Sequence, residues 1–426
     1  MSPVFRRAAE KGQREQPVRM RDLLSKNREF RGLVLAQVTS EIGDHFARFA
    51  LAALVFERSD SMVTAALAFV IGYLPGIFGA VLLAPFADRV PRKRVLLVCD
   101  AARAVLVALL ALAAVASTPI WALFALLLAS QLFSPPFEAA RAALVPDLLP
   151  DTREFFAGTS LTRALFQINQ VIGLTVAGVV VTAFSPRTAL AIDALTFAVS
   201  FVILLTALRP RRAPVEGRAG LRGFLADTAE GARIAWVDPL RRVFIGFVWV
   251  TALLLIAPEA VAIAYADEHN KANLSGALMA AIPAGAAVGV AIISRIGPTR
   301  AVRLVRVLAL LSFLPLIVTV VDPGVYLAAV LWFISGMLQA YLVPVMVTVN
   351  LATPSQYRGR LNGLAGGGLG VATALGFLAA GALADLRSPQ VAIAVAGVAG
   401  VIVVGLFSLV WPKVPDRPVA PSSPPT

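Results

Sequence analysis

Twelve stretches of about 20 predominantly apolar residues follow one another along the chain, and few folds can accommodate them. A helix crossing a bilayer needs about 20 such residues. Cut at proline, glycine and clusters of charge, the stretches run approximately over 32–56, 62–86, 95–116, 119–145, 156–183, 188–208, 241–265, 274–295, 301–321, 324–350, 357–383 and 389–411; they are numbered spans 1 to 12. Of the 426 residues 58% are hydrophobic and 15% charged, with a mean hydropathy of +0.80, against roughly 45–50% and about 25% in ordinary soluble domains. A water-facing surface cannot be built from that composition. Pro75, Pro136, Pro258, Pro283, Pro315 and Pro344 lie inside the stretches, which is tolerated in lipid because neighbouring helices restore the freed backbone partners. The runs are long and do not alternate, which excludes a β-barrel. An all-α membrane protein with twelve transmembrane helices is expected.

The chain carries a formal charge of +13, which in a soluble protein would point to nucleic acid. Here it reads as topology. With twelve spans both termini share one side, and 31 of the 38 Lys and Arg fall on the connections of that side. The other side receives Arg58, Arg187, Lys271 and Arg387, while Arg48, Arg103 and Arg163 lie within spans. By the positive-inside rule the termini are expected in the cytoplasm, with the chain in the cell (inner) membrane.

A single long internal connection, 209–240, separates two sets of six spans. Gly173, Gly178, Ser185, Pro186, Ala189 and Ala191 recur as Gly376, Gly381, Ser388, Pro389, Ala392 and Ala394, each displaced by 203 residues. The expected organisation is a basic N-terminal arm over 1–31, a six-helix bundle over 32–208, a cytoplasmic linker over 209–240, a second bundle over 241–411 and a disordered Pro/Ser-rich tail over 412–426. Two parallel six-span repeats around a midplane cavity resemble the major facilitator architecture.

One cysteine, Cys99, and two histidines, His45 and His269, leave no intrachain disulfide framework and no metal-ligand spacing. The chain has no phosphate-binding G-x-x-x-x-G-K-[ST] loop and no nucleophile, base and orienter set, so neither a nucleotide-driven pump nor an enzyme is expected.

Span 1 is the most informative stretch for mechanism. In SEIGDHFARFAL, Glu41, Asp44, His45 and Arg48 stand at i, i+3, i+4 and i+7, within about 100° of one helical face. Each ionisable group costs at least about 2.5 kcal/mol at the bilayer centre, so the four are expected to face a water-filled cavity, with Asp44 and Glu41 placed to exchange protons. The alternative is a neutralised cluster that only fixes packing. Asp193 in span 6 and Glu259 after Pro258 in span 7 read either as exit-side protonation sites or as outer anchors. Gln131, Glu138, Arg163, Gln167, Gln170, Gln339, Tyr341 and Asn362 are candidates to line a substrate cavity, although Glu138 and Arg141, at i and i+3, read more readily as a structural pair.

Two loops carry a family resemblance. APFADRVPRKRVLL, residues 84–97, resembles the major facilitator signature G-x-x-x-D-R-x-G-R-R, matched by Asp88, Arg89, Arg92 and Lys93, with Ala84 and Pro91 at the usual glycines. PSQYRGRLNGLAGGGLG, residues 354–370, resembles the family's entrance to span 11, with Arg358 and Arg360 at the surface and Gly363, Gly366, Gly367, Gly368 and Gly370 expected to allow close helix approach. The resemblance implies that Asp88 latches the N-terminus of span 11 when the protein opens outward. In span 5, Leu174 replaces the proline of the family's antiporter motif, and Gly173 and Gly178 read as packing. Together with FRGLVLAQVTSEIGDHFARFAL, FSPPFEAARAALVPDLLP and IDALTFAVSFVILL, these segments resemble the drug:proton antiporter branch that includes macrolide-efflux and enterobactin-exporter proteins. The resemblance implies proton-driven export of an amphipathic compound by a monomer whose partners are the substrate and the bilayer, without nucleic acid or cofactor. An importer or lipid flippase of the same fold, or a non-transporting sensor, remains the alternative.

Overall fold

A computed structural model describes residues 20–87, 90–211, 221–296, 298–354 and 357–411. All twelve expected spans are helical, and no strand occurs among the described residues. Spans 1 to 3 are Arg28–Ser59, Met62–Ala87 and Arg92–Ala113; span 4 is Ile120–Gln131 plus Ser134–Leu148; spans 5 and 6 are Thr152–Ala183 and Pro186–Ala207. Span 7 is Pro239–Leu255 plus Ala257–Glu268; spans 8 and 9 are Ser275–Ile293 and Pro298–Val318; span 10 is Val325–Leu338 plus Leu342–Leu351; spans 11 and 12 are Arg358–Leu386 and Pro389–Leu409. Leu112, Val202, Val330, Ile402 and Leu406 are exposed on the outside of the bundle, as lipid-facing residues should be.

Among the described residues, ten helices are long and apolar enough to cross a membrane by composition alone, and span 1 is not among them. Glu41, Asp44 and Arg48 in its middle interrupt every apolar window. It is nevertheless a continuous helix of 32 residues, held by its neighbours. Asn27 caps its start, accepting from Phe30 N at 2.9 Å and donating to the carbonyl of Leu148 at 2.7 Å. Asp60 ends it in the left-handed conformation, which Asp tolerates.

Spans 4, 7 and 10 are each broken in mid-course, and proline accounts for it. Span 4 restarts at Ser134 ahead of Pro135 and Pro136, span 7 at Ala257 ahead of Pro258, and span 10 tightens into a 3-10 turn over Gln339–Tyr341 ahead of Pro344. The repeat of 203 residues has a structural counterpart at two helix starts. Ser185 and Ser388 cap spans 6 and 12, accepting from Thr188 N at 3.1 Å and Val391 N at 3.3 Å, each followed by proline in the first turn.

The expected linker holds a helix, Leu221–Val237. It is fastened to the second half, because Glu230 pairs with Arg360 at the start of span 11 and Gly231 lies against the Arg360 carbonyl. Its polarity disguised it as a connection in the sequence. Its Trp236 packs on Trp249 of span 7 with ring centroids 5.9 Å apart.

Buried apolar residues form two large groups. One runs through both halves, from Phe49, Leu51 and Phe69 to Phe247, Trp332 and Phe377. The other, around Phe30, Leu96, Phe137 and Leu204, lies within the first half and sits toward the face that carries the arginine-rich connections, here called the basic face.

Candidate functional site

The four span 1 side chains share a face in projection but not a common environment. Asp44 turns into the first half, where its Oδ1 accepts from the guanidinium of Arg103 in span 3 and, at 3.3 Å, from the amide of Gln131 at the break of span 4. Arg103 is 3% exposed and its guanidinium lies 4.0 Å from the ring centroid of Phe197 in span 6. The buried carboxylates of Asp100 and Asp193 share this interior. Asp100 accepts from Ser200 at 2.5 Å, and Asp193 from Thr196 at 3.3 Å. One oxygen of each, Oδ1 of Asp100 and Oδ2 of Asp193, has no hydrogen-bond partner among the described residues. Gly43 makes this arrangement possible, since a Cβ there would overlap Thr196 and Asp193.

Glu41, one turn nearer the basic face, belongs to a second group. Its two oxygens accept from the amides of Gln37 and Asn169, both at 2.7 Å. Gln37 in turn accepts from Arg141 at 2.6 Å, and Arg141 pairs with Glu138. This network borders a cavity of 430 Å³ lined by Gln37, Arg141, Thr162, Arg163, Phe166 and Gln167 of the first half and Val290 of the second. His45 packs against Gly173 of span 5, and Arg48 against Gly72 of span 2. A helix enclosed by several neighbours divides its polar face among them, which a projection of span 1 alone cannot reveal.

The remaining candidates scatter. Arg163 and Gln167 line the cavity, and Gln170 is half-buried one turn on. Tyr341 is fully buried, its ring 5.7 Å from Phe247, so it belongs to the core of the second half rather than to a cavity wall. Gln339 is half-buried beside it, and Asn362 is exposed, donating to Asn350 at 2.9 Å. Glu259 is buried in the first turn after the span 7 break, within electrostatic reach of Arg48.

Asp88 and Arg89 lie outside the described residues. The other signature residues act within their own halves. Arg92 pairs with Asp147 and donates to Ala143 O at 2.9 Å, tying span 3 to the end of span 4. Lys93 donates to the carbonyls of Leu205 and Leu208 at 2.8 and 2.5 Å, closing the C-terminus of span 6. Arg358 does the same for span 10, donating to Asn350 O and Thr353 O at 2.9 and 3.0 Å. The glycines at the start of span 11 need correction: Gly368 meets Trp249, but Gly363, Gly366, Gly367 and Gly370 have nothing within 4 Å of a Cβ. Among the described residues, these glycines have no helix in close approach.

Contact between the halves is made at the opposite face. Gly178 of span 5 lies on the backbone of Gly276 at the start of span 8, and Gly381 of span 11 on the backbone of Met62 and Val63 at the start of span 2. These glycines are 203 residues apart, so the repeat recurs at two equivalent crossings. Phe377 stacks on Phe69 with centroids 4.8 Å apart. The two sets of six spans thus meet at this face, while the cavity beside Gln37 and Val290 lies nearer the other.

The family model of the Major Facilitator Superfamily matches residues 33–349 and 260–425. The chain belongs to this superfamily. It is a multi-pass membrane transporter rather than an enzyme. It is 26% identical over 364 residues to the multidrug efflux pump Tap of Mycolicibacterium fortuitum, covering 83% of this chain and 88% of that protein. It is 25% identical over 398 residues to the uncharacterized MFS-type transporter YfiS of Bacillus subtilis (strain 168), covering 90% and 93%. Among solved structures, the nucleoside transporter NupG superposes with a TM-score of 0.70 at 13% identity, over 90% of this chain and 99% of that one. The peptide transporter POT in complex with sulfate gives 0.66 at 14%, over 90% and 94%. At such identities the structures speak for the fold alone.

Asp100 and Asn169 escaped the sequence reading, which places Arg103 within a span without a role. Asp100 and Arg103 stand one turn apart in the apolar run VCDAARAVLV, and ionisable residues at such depth are themselves a functional signal. Asn169 sits between Gln167 and Gln170 in sequence but points about 160° away from Gln167, off the stripe those two mark out.

Proposed function

We propose that the protein exports an amphipathic organic compound, drug or metabolite, in exchange for protons, by alternating access of its cavity to the two sides of the membrane. The observation that carries this reading is Glu41, bonded to the cavity-lining Gln37 and held by two neutral amides instead of a cation. Such a carboxylate can take or lose a proton without breaking an ion pair. Deeper in the same half, Asp44, Asp100 and Asp193 lie within electrostatic reach of Arg103, with Arg48 near Asp44 and Asp193, so three acids face two guanidinium groups. A surplus buried carboxylate is costly unless it is paired or neutralised, and a proton is the simplest neutraliser. Protonation there weakens the link from span 1 to span 3 and favours a change of face; Glu41 releases its proton to the cavity.

Export is favoured by the relation to an efflux pump. An amphipathic substrate fits a cavity with arginine and amide groups on one wall and Val290 on the other. The concentration of Lys and Arg on one side supports placing the basic face in the cytoplasm of the cell membrane. In this reading the bundles over 32–208 and 241–411 move as bodies, joined by 209–240, with the proton gradient as energy source and no bound cofactor.

The test is substrate-coupled proton flux in proteoliposomes with an imposed pH gradient and a panel of amphipathic drugs. Glu41→Gln and Asp44→Asn are each expected to abolish gradient-driven accumulation, and Glu41→Gln to spare gradient-independent exchange. Accumulation that survives both substitutions, or ignores an uncoupler in the parent protein, overturns proton antiport. Accumulation in the opposite sense overturns export.

A further inference from the structure

At the face where the halves meet, the carboxylate of Asp385, in the last turn of span 11, closes over the first turn of span 2. One oxygen accepts from the backbone N–H of Met62 at 2.5 Å. The other accepts from the N–H of Val63 at 3.1 Å and from the hydroxyl of Ser61 at 2.7 Å. The first N–H groups of a helix have no partner inside it and carry the positive end of its dipole. A carboxylate that accepts from two of them makes charge-assisted bonds, roughly twice as strong as neutral ones. Ser61 completes the cap, its oxygen accepting from Thr64 N at 3.2 Å.

The donors belong to one half of the molecule and the acceptor to the other. An ordinary helix cap moves with its helix, whereas this one must break if the halves separate at this face. The surroundings are built for the same closure. One turn back, Gly381 lets span 11 lie against the backbone of Met62 and Val63. Another turn back, Phe377 stacks on Phe69 at 4.8 Å and meets Tyr73 at 6.2 Å. Asp385, Gly381 and Phe377 thus form one stripe at i, i−4 and i−8 that lies along span 2.

The related crossing of spans 5 and 8 has the glycine but not the carboxylate. The position 203 residues before Asp385 is Thr182, whose hydroxyl donates to Gly178 O within its own helix at 2.8 Å. The polar clasp therefore exists on one side of the pseudo-twofold only.

We propose that Asp385 is a gating residue whose bonds to the start of span 2 hold this face shut and so favour the state open to the basic face. Neither the signature loop nor the span 1 charges supply this contact. The inference rests on the reading of alternating access given above, but not on the coupling ion or the substrate, because the experiment reads conformation with neither present.

Arg187 and Lys271 are exposed on the two halves at this face and belong to neither helix of the clasp. Spin labels on Arg187→Cys and Lys271→Cys, with Cys99 replaced by Ala, report their separation by pulsed dipolar spectroscopy of the full chain in lipid nanodiscs. Asp385→Ala is expected to raise the ratio of the long-distance to the short-distance population by about tenfold, the effect of losing its three bonds at a solvent-exposed site. Asp385→Asn and Ser61→Ala, which nearly preserve shape, are expected to raise it less. Adding Ser61→Ala to Asp385→Ala should add less than it does alone, because its acceptor has already gone. Distance distributions identical to the parent in Asp385→Asn and Ser61→Ala overturn the proposal even if Asp385→Ala does not fold. A shift in distance in a protein without proton-coupled flux upholds the clasp and overturns only the coupling.

Discussion

At the scale of single residues, position within the bundle decides what a charge can do. Glu29, just ahead of the first apolar stretch, accepts from Arg211 at 2.6 Å and from the backbone N–H of Arg209 at 3.1 Å, so the start of span 1 is tied to the chain leaving span 6. Burial raises the affinity of Glu29 for a proton, but the bonds and charge of Arg211 and Arg209 outweigh it and hold the carboxyl below its ordinary value of 4.5. A depressed carboxylate stabilises the folded state above its unfolded titration point and loses that contribution as pH falls through the folded one. Thermal stability of the detergent-solubilised protein should therefore decline as pH falls below the ordinary value of 4.5, the decline being shallower in Glu29→Gln, whose stability at neutral pH is lower; parallel profiles would contradict this. Gly43 illustrates the other residue-scale constraint. A methyl group there would overlap Thr196 and Asp193, and overpacking of this kind costs about 1–3 kcal/mol. Gly43→Ala should lower the melting temperature while also loosening the Asp44 to Arg103 pair, seen as a loss of coupled flux greater than the loss of folded protein.

At the scale of elements, polar side chains close helix ends that would otherwise leave carbonyls bare. Lys93 spans the final turn of span 6 from the start of span 3, combining a charged hydrogen bond with a favourable interaction with the helix dipole. Lys93→Ala should destabilise the first half by about 1 kcal/mol, measurable as a lower unfolding midpoint in denaturant with hydrogen exchange rising first around Leu204 to Leu208; uniform exchange across both halves would deny the local role. The spans themselves were legible because twenty-residue apolar runs have one structural outcome in lipid. The breaks in spans 4, 7 and 10 were not legible, because Pro136, Pro258 and Pro344 look no different in sequence from Pro75, Pro283 and Pro315, which lie in unbroken helices. Two further features were hidden as well. The helix Leu221–Val237 carries no long apolar run and is held by Glu230 and Gly231 on span 11, a long-range contact that no local pattern encodes. The division of the span 1 charges was equally hidden, because Arg103 and Asn169 come from spans 3 and 5. Periodicity tells which side chains share a face of one helix; it does not tell which neighbours that face is shared between.

At the scale of the whole molecule, the duplicated halves make a prediction that no single residue would. Gly178 and Gly381 occupy equivalent places in the two repeats, and each meets backbone across the interface: Gly276 in one case, Met62 and Val63 in the other. Backbone cannot turn aside as the end of a side chain can. Gly178→Val and Gly381→Val should therefore each hold the closed face apart, at a cost to the closed state of about 1–3 kcal/mol and hence a rise of about tenfold or more in the open population. The same pair of labels on Arg187→Cys and Lys271→Cys reads both. Gly366→Val provides the contrast, since nothing lies within 4 Å of a Cβ there. It should leave the closed face shut and, if the start of span 11 packs against the first half when the basic face closes, reduce the open population instead. Equal effects of the two interface valines with the opposite sign for Gly366→Val would establish that one pivot, doubled by the repeat, serves both faces. An effect confined to Gly381→Val would instead assign the closure to the span 2 and span 11 crossing, where the Asp385 clasp lies, and reduce the span 5 and span 8 crossing to passive packing.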